Sequence, residues 1–134
     1  MSLGNTLKSI KETILEMHKL SQEFRIALRK KIIKALNEKK AAKVRDDYIL
    51  EIVACKGNII TLEELQINVG GYIEVYPQEI IRNTKLFVDE EGLLKKRPYN
   101  QLAKDLFDID IVGDILFVPK ELLNDKRRND EHSV

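Results

Sequence analysis

Between Asn5 and Lys43 the apolar residues recur at Leu7, Ile10, Ile14, Met17, Phe24, Leu28, Ile32 and Leu36. Up to Leu28 the steps are three and four, with Ser21 standing at one seam position, and no proline or glycine interrupts the stretch. This spacing predicts an amphipathic helix with a near-heptad seam. Asn5 or Thr6 caps its start, with Ser9 and Glu12 as an alternative capping box. A second set, Leu15, Leu20, Ile26 and Ile33, widens the apolar stripe, as expected for a helix that packs on more than one surface. Unbroken, the helix would reach about 60 Å at ~1.5 Å per residue, against roughly 25–30 Å for a compact domain built from the rest of the chain. It must therefore break, near Asn37 or Ser21, or pair with a second copy; the wide stripe favours the second copy.

After "KVRDD" the period changes. "YILEIVAC" (48–55) alternates as a strand, "KGN" is a turn signal and "IIT" resumes extended structure, which predicts a hairpin over 48–61. "TLEELQINV" predicts a short helix, with Thr61 as N-cap, Glu64 completing a capping box and Gly70 as the stop. Gly71 then lets the chain reverse into "YIEVY", which sets Tyr72, Glu74 and Tyr76 on one face and Ile73 and Val75 on the other. "TKLFV" (84–88) is a further strand, and "DEEG" is a turn with Gly92 at a position needing positive φ. "LLKK" reads as its returning partner, the Pro98 segment as a loop or helical turn, and "DIDI" as a strand with one wet face. Gly113 is a tight bend before the last strand, "DILFV".

These elements predict an α+β fold: a long N-terminal amphipathic helix, continuous or broken, and a mainly antiparallel sheet of about four to six strands. The expected organisation is a helical segment (1–47), a small α+β domain (48–119) and a polar, mobile tail (120–134).

Charge refines this picture. The net charge of +1 hides an asymmetry. Residues 1–47 hold 12 Lys/Arg and 6 Asp/Glu, a net of +6, and residues 48–134 hold 11 and 16, a net of −5. Arg25, Arg29, Lys30, Lys31 and Lys34 lead the basic run. Such a run suits a nucleic-acid backbone or an acidic protein surface, or is simply a solvated helical face. No helix-turn-helix glycine, zinc-ligand pattern or RNP aromatic pair accompanies it. A single cysteine, Cys55, excludes an internal disulfide and reads as packing rather than as a nucleophile. No run approaches the ~20 apolar residues of a membrane span, and "MSLGNTLKSI" lacks the apolar core of a signal peptide. A cytoplasmic protein without a membrane is expected.

Candidate chemistry is sparse. Gly70-Gly71 follows a helix and precedes a strand, the reverse of a phosphate-binding loop, so both glycines read as a turn, like Gly92 and Gly113. Glu74, Asn100 and Asp114 are the candidate polar site for acid/base chemistry. "DIDIVGD" lacks EF-hand spacing, and neither His18 nor His132 belongs to a nucleophile motif. No metal, cofactor or catalytic set is expected.

The run "LEELQINVGGYIEVY", then "LFVDEEGLLKKRPYNQLA", then "DIVGDILFV" resembles a domain family of unknown function carried by bacteriophages, plasmids and other mobile elements. The resemblance rests on Val69-Gly70-Gly71-Tyr72-Ile73-Glu74, on Glu91-Gly92, on Pro98, Asn100 and Ala103, and on Gly113-Asp114, over residues 48–119. It implies a small accessory protein of mobile DNA, supplies no catalytic residues, and does not extend to the basic helix. The first reading is therefore a non-enzymatic interaction module that self-associates, as a dimer, through Leu7, Ile10, Ile14, Met17, Phe24, Leu28 and Ile32. The alternatives are nucleic-acid binding through the basic helix over 25–45, and an enzyme built on the carboxylate/Asn set.

Overall fold

The computed structural model describes residues 22–123. The seam positions Leu7, Ile10, Ile14 and Met17, both histidines and the tail beyond 123 lie outside the described residues.

Helix α1 covers 22–37, so the break predicted at Asn37 is where the helix ends. The stop is a Schellman turn without glycine. Lys39 takes the left-handed conformation (φ 61°), Lys40 N–H donates to the Ala35 carbonyl (3.0 Å) and Lys39 N–H to that of Leu36 (3.1 Å). The chain then enters strand β1 (Ala41–Val44), which turns into β2 (Leu50–Val53). The hairpin is thus shifted upstream of the 48–61 prediction, because "AAKV" is a strand and residues 59–61 are not.

Helix α2 (Leu62–Val69) has the expected ends. Glu64 N–H donates to Thr61 Oγ1 (3.1 Å), Thr61 N–H returns to Glu64 Oε1 (3.2 Å), and Gly70 closes the helix at φ 87°. Strands β3 (Ile73–Val75) and β4 (Thr84–Asp89) follow. "LLKK" is a run of turns, with Leu93 and Leu94 more than four-fifths exposed; β4 pairs instead with β3 and β5. Helix α3 (Gln101–Phe107) is capped by Asn100, and β5 (Ile115–Pro119) precedes a 3-10 turn at Lys120–Leu122. "DIDI" is not a strand: Asp108 is the left-handed C-cap of α3 (φ 55°) and Ile109 turns into the core. Leu122, expected in the tail, is buried, and its carbonyl accepts from Ile60 N–H (2.8 Å).

The fold is α+β, with one antiparallel sheet in the order β2-β1-β5-β4-β3. Helices cover both faces. On one, Ile32 and Leu36 of α1 and Leu102, Ala103 and Leu106 of α3 pack on Ala42, Val44, Leu86, Val88, Ile115 and Phe117. On the other, Leu65 and Val69 of α2 meet Ala41, Phe87, Leu116 and Val118. Because both faces are covered, central β5 is buried at every residue, and its uninterrupted apolar run reflects that position. Cys55 packs half-buried against the second cluster. Ile32, expected in a self-association seam, has no exposed surface and belongs to the intramolecular core. Among the described residues no helix is long and apolar enough to cross a membrane.

Candidate functional site

Three of the glycines singled out in the sequence, Gly70, Gly71 and Gly113, converge on two side chains that the sequence reading missed, Asp89 and Arg97. Asp89 ends β4 and its carboxylate is fully buried. Oδ2 accepts from Arg97 Nε (2.7 Å) and Lys95 Nζ (3.1 Å), and Oδ1 from Glu91 N–H (2.9 Å). Burial pushes the carboxyl's pKa up most strongly. The Glu91 amide and the two cations outweigh it and hold the group below the ordinary carboxylate range.

Arg97 also donates from Nη2 to the Gly70 carbonyl (2.7 Å). Helix α2 has no basic residue in its last turn, so a cation some 27 residues downstream complements the negative end of the helix. A Cβ on Gly70 would strike the Arg97 guanidinium, one on Gly113 (φ 80°) would lie 2.7 Å from Arg97 Cδ, and one on Gly71 would meet Lys95 Nζ and the Asp89 oxygens (3.0 and 3.1 Å). Gly92 does not take the positive φ expected of it. Its Cβ position lies 3.0 Å from Val112 Cγ2, so it is close packing of the 91–96 turn that leaves no room there. The VGG, EEG and GD elements are therefore parts of one structural joint.

Asn100 has no exposed surface. Its Nδ2 donates to the Val44 (2.9 Å) and Gly113 (2.8 Å) carbonyls, and its Oδ1 accepts from Ala103 N–H (2.9 Å). It ties α3 to β1 and to the bend before β5, and both amide donors are spent. Asp114 accepts from Asp46 N–H (2.9 Å) with Lys43 at 3.9 Å. Glu74 is exposed on β3, at the sheet's outer edge. The three residues of the expected carboxylate/Asn site are thus not brought together. Two are committed to backbone groups and the third stands apart, so they cannot share a substrate. Among the described residues no three His, Cys, Asp or Glu side chains gather as metal ligands would.

Two surfaces of the described residues combine exposed apolar groups with unpaired charge. The first is a cleft of about 470 Å³ beside β3. Val75, Tyr76, Val88, Leu93, Ile111 and Val112 form its apolar part, Glu74, Glu90 and Asp110 its acidic rim, and no Lys or Arg lines it. Tyr99 hydroxyl donates to Asp110 (2.6 Å); that bond first, and Lys104 second, keep the Asp110 carboxyl below its usual range. Glu74 and Glu90 have no ion-pair partner among the described residues.

The second surface is α1. Ile32, Ala35 and Leu36 face the sheet and Leu28 is half-buried, while Phe24 (59%), Ile26 (49%) and Ile33 (47%) stand in solvent. Arg29, Lys30, Lys31 and Lys34 are exposed without an ion-pair partner among the described residues, and Arg25 is half-buried. Of the expected seam only Phe24 and, in part, Leu28 remain accessible in the described helix; Ile26 and Ile33 from the second set extend the exposed apolar surface.

No curated protein and no solved structure matches the chain. Residues 39–125, from the end of α1 through the 3-10 turn, match the model of a domain of unknown function, DUF3846, and the chain belongs to that family.

Proposed function

We propose that this chain is a non-enzymatic accessory protein of a phage or other mobile element, an interaction module that self-associates as a dimer through α1. The observation that carries the reading is the apolar surface that α1 leaves in water on both edges of its buried stripe. α1 buries Ile32 and Leu36 in its own core yet leaves Phe24, Ile26 and Ile33 about half exposed. At ~100° per residue Phe24 borders the buried stripe on one side and Ile26 and Ile33 border it on the other. A helix serving only its own domain keeps a narrower stripe, and the excess apolar surface in water is uncompensated until another surface covers it. The commitment of Asn100 and Asp89 to structural bonds supports a non-catalytic role, and the VGG…EEG…GD resemblance supports the mobile-element setting.

Deleting residues 1–45 would remove β1 and the core residues Ile32, Ala35 and Leu36, so the test uses point variants of the full chain. Sedimentation of the wild type should show a concentration-dependent dimer of about twice 15.5 kDa. A Phe24→Ser/Ile26→Ser/Ile33→Ser variant, folded by circular dichroism, should sediment as a monomer. A wild type that is monomeric at all concentrations removes the reading.

A second reading is favoured by the exposed, unpaired Arg29, Lys30, Lys31 and Lys34, which suit nucleic-acid phosphates. Fluorescence anisotropy with labelled duplex DNA at two salt concentrations tests it. Binding that weakens steeply with salt and is lost on charge reversal of these four residues supports it, and no binding at low salt rejects it.

A further inference from the structure

We infer that the acidic-rimmed cleft beside β3 is the docking site for α1 of a second copy, so that the dimer forms by two reciprocal helix-to-cleft contacts. This rests on the self-association proposed above and says which surface receives the helix.

Both halves of the contact are present on one chain, and they complement each other in charge and in apolar character. At ~100° per residue, Phe24, Lys31, Lys34 and Lys30 fall within about 120° of one another, on one flank of α1. That flank offers an aromatic ring beside three ammonium groups. The cleft offers an apolar hollow beside Glu74, Glu90 and Asp110. Its volume of about 470 Å³ is enough for a phenyl side chain with a neighbouring apolar group. Of its rim carboxylates Asp110 is already met by Lys104 (3.5 Å), which leaves Glu74 and Glu90 to receive the lysines. The lysines lack ion-pair partners among the described residues, and so do Glu74 and Glu90.

The contact has to be made between molecules. Ile32 and Leu36 pin α1 to its own sheet, and at ~100° per residue Lys30 and Lys34 stand about 120–160° round the helix from them. In the reciprocal arrangement the helix of the first copy meets the cleft of the second and the reverse, which closes a two-fold dimer; the same contact repeated in one direction would give an open chain, which sedimentation distinguishes. Opposite charge on the two surfaces also disfavours the alternative in which two basic α1 flanks lie against each other.

The test is a charge swap, read by sedimentation velocity of the full chain at low and high salt. Glu74→Lys/Glu90→Lys and, separately, Lys30→Glu/Lys31→Glu/Lys34→Glu should each raise the dimer dissociation constant at least tenfold. All five changed residues are exposed, and circular dichroism of each variant confirms that it folds. Mixing the two variants, or combining all five substitutions in one chain, should restore the dimer. Raising salt from 50 to 500 mM should weaken the wild-type dimer. If the wild type dimerises and Glu74→Lys/Glu90→Lys does so equally well, the cleft is not the receptor, and self-association stands through another surface. If both swaps dissociate the dimer but the combination does not restore it, the charge pairing is wrong. A wild type that never dimerises overturns the self-association reading and this inference with it.

Discussion

Replacing Asp89 by alanine tests the central joint most directly. The substitution removes the acceptor of Arg97 Nε, Lys95 Nζ and Glu91 N–H in one step. Removing one member of a buried ion pair costs about 3–5 kcal/mol. Here the low end applies, because the Lys95 side chain is 38% and that of Arg97 22% exposed, and water reaches both once the carboxylate is gone. The stranded Glu91 amide and the loosened Arg97–Gly70 contact bring the total to about 3–4 kcal/mol. That is a large share of the ~5–15 kcal/mol that holds a domain together. With a urea slope of roughly 1.5–2 kcal/mol/M, the unfolding midpoint followed by circular dichroism should fall by about 2 M. Asp89→Asn keeps the shape and one acceptor and should lose about 2 kcal/mol.

The pH dependence is a second readout. The folded Asp89 carboxyl titrates below its unfolded value of about 3.9. Its stabilisation is therefore complete above that value and is lost as pH falls through the folded pKa. The gap between wild type and Asp89→Ala should be constant from pH 7 to about 4 and close below it. A midpoint shift under ~0.5 M urea, equivalent to about 1 kcal/mol, would show that the cations are solvated equally well without the carboxylate and would refute the joint as an energetic centre.

The remaining predictions concern the same framework. Asn100→Asp keeps the α3 cap but sets a carboxylate oxygen against the Val44 and Gly113 carbonyls; at pH 7 it should destabilise by at least 3 kcal/mol, with partial recovery near pH 4, read by urea denaturation. Gly113→Ala, with φ 80° and Arg97 Cδ at 2.7 Å from the new Cβ, should cost about 2 kcal/mol, and an Arg97→Ala background should recover the part due to contact. Thr61→Ala removes the α2 capping box and should cost about 1 kcal/mol, most visibly as faster amide exchange in the first turn of α2.

What was legible in the sequence was local. Thr61, Glu64 and Gly70 mark α2 because capping chemistry operates over a few neighbouring residues. β5 is legible because four consecutive apolar residues after Gly113-Asp114 suit a strand with no wet face. β1 was hidden because "KKAAKV" reads as good helix-forming sequence with no glycine or proline. Its strand conformation is imposed by β2 and β5 on either side, and the helix before it stops on a left-handed lysine. "LLKK" was misread because Gly92 looked like a hairpin turn. Its actual duty is to pack against Val112, some 20 residues later. The same limit hid the joint. Asp89 at the end of a buried strand was an available signal, since a charge in that position needs a counterion. Its pairing with Arg97 and Lys95, and the closeness of both to Gly70, Gly71 and Gly113, are tertiary facts. Glu74, Asn100 and Asp114 illustrate the converse: polar residues of a motif read as chemistry when two of them are spent on main-chain carbonyls and amides.

The position of β5 has a consequence for how the molecule is made. The hairpins β1–β2 and β3–β4 are each local in the chain, but β5, the strand that joins them, is made after both. Without β5, the inner edges of β1 and β4 have no strand to pair with. A synthetic peptide covering 114–123 should take the place of β5 in a chain that stops at 113 and rescue it from aggregation, which would make this small domain a natural split reporter.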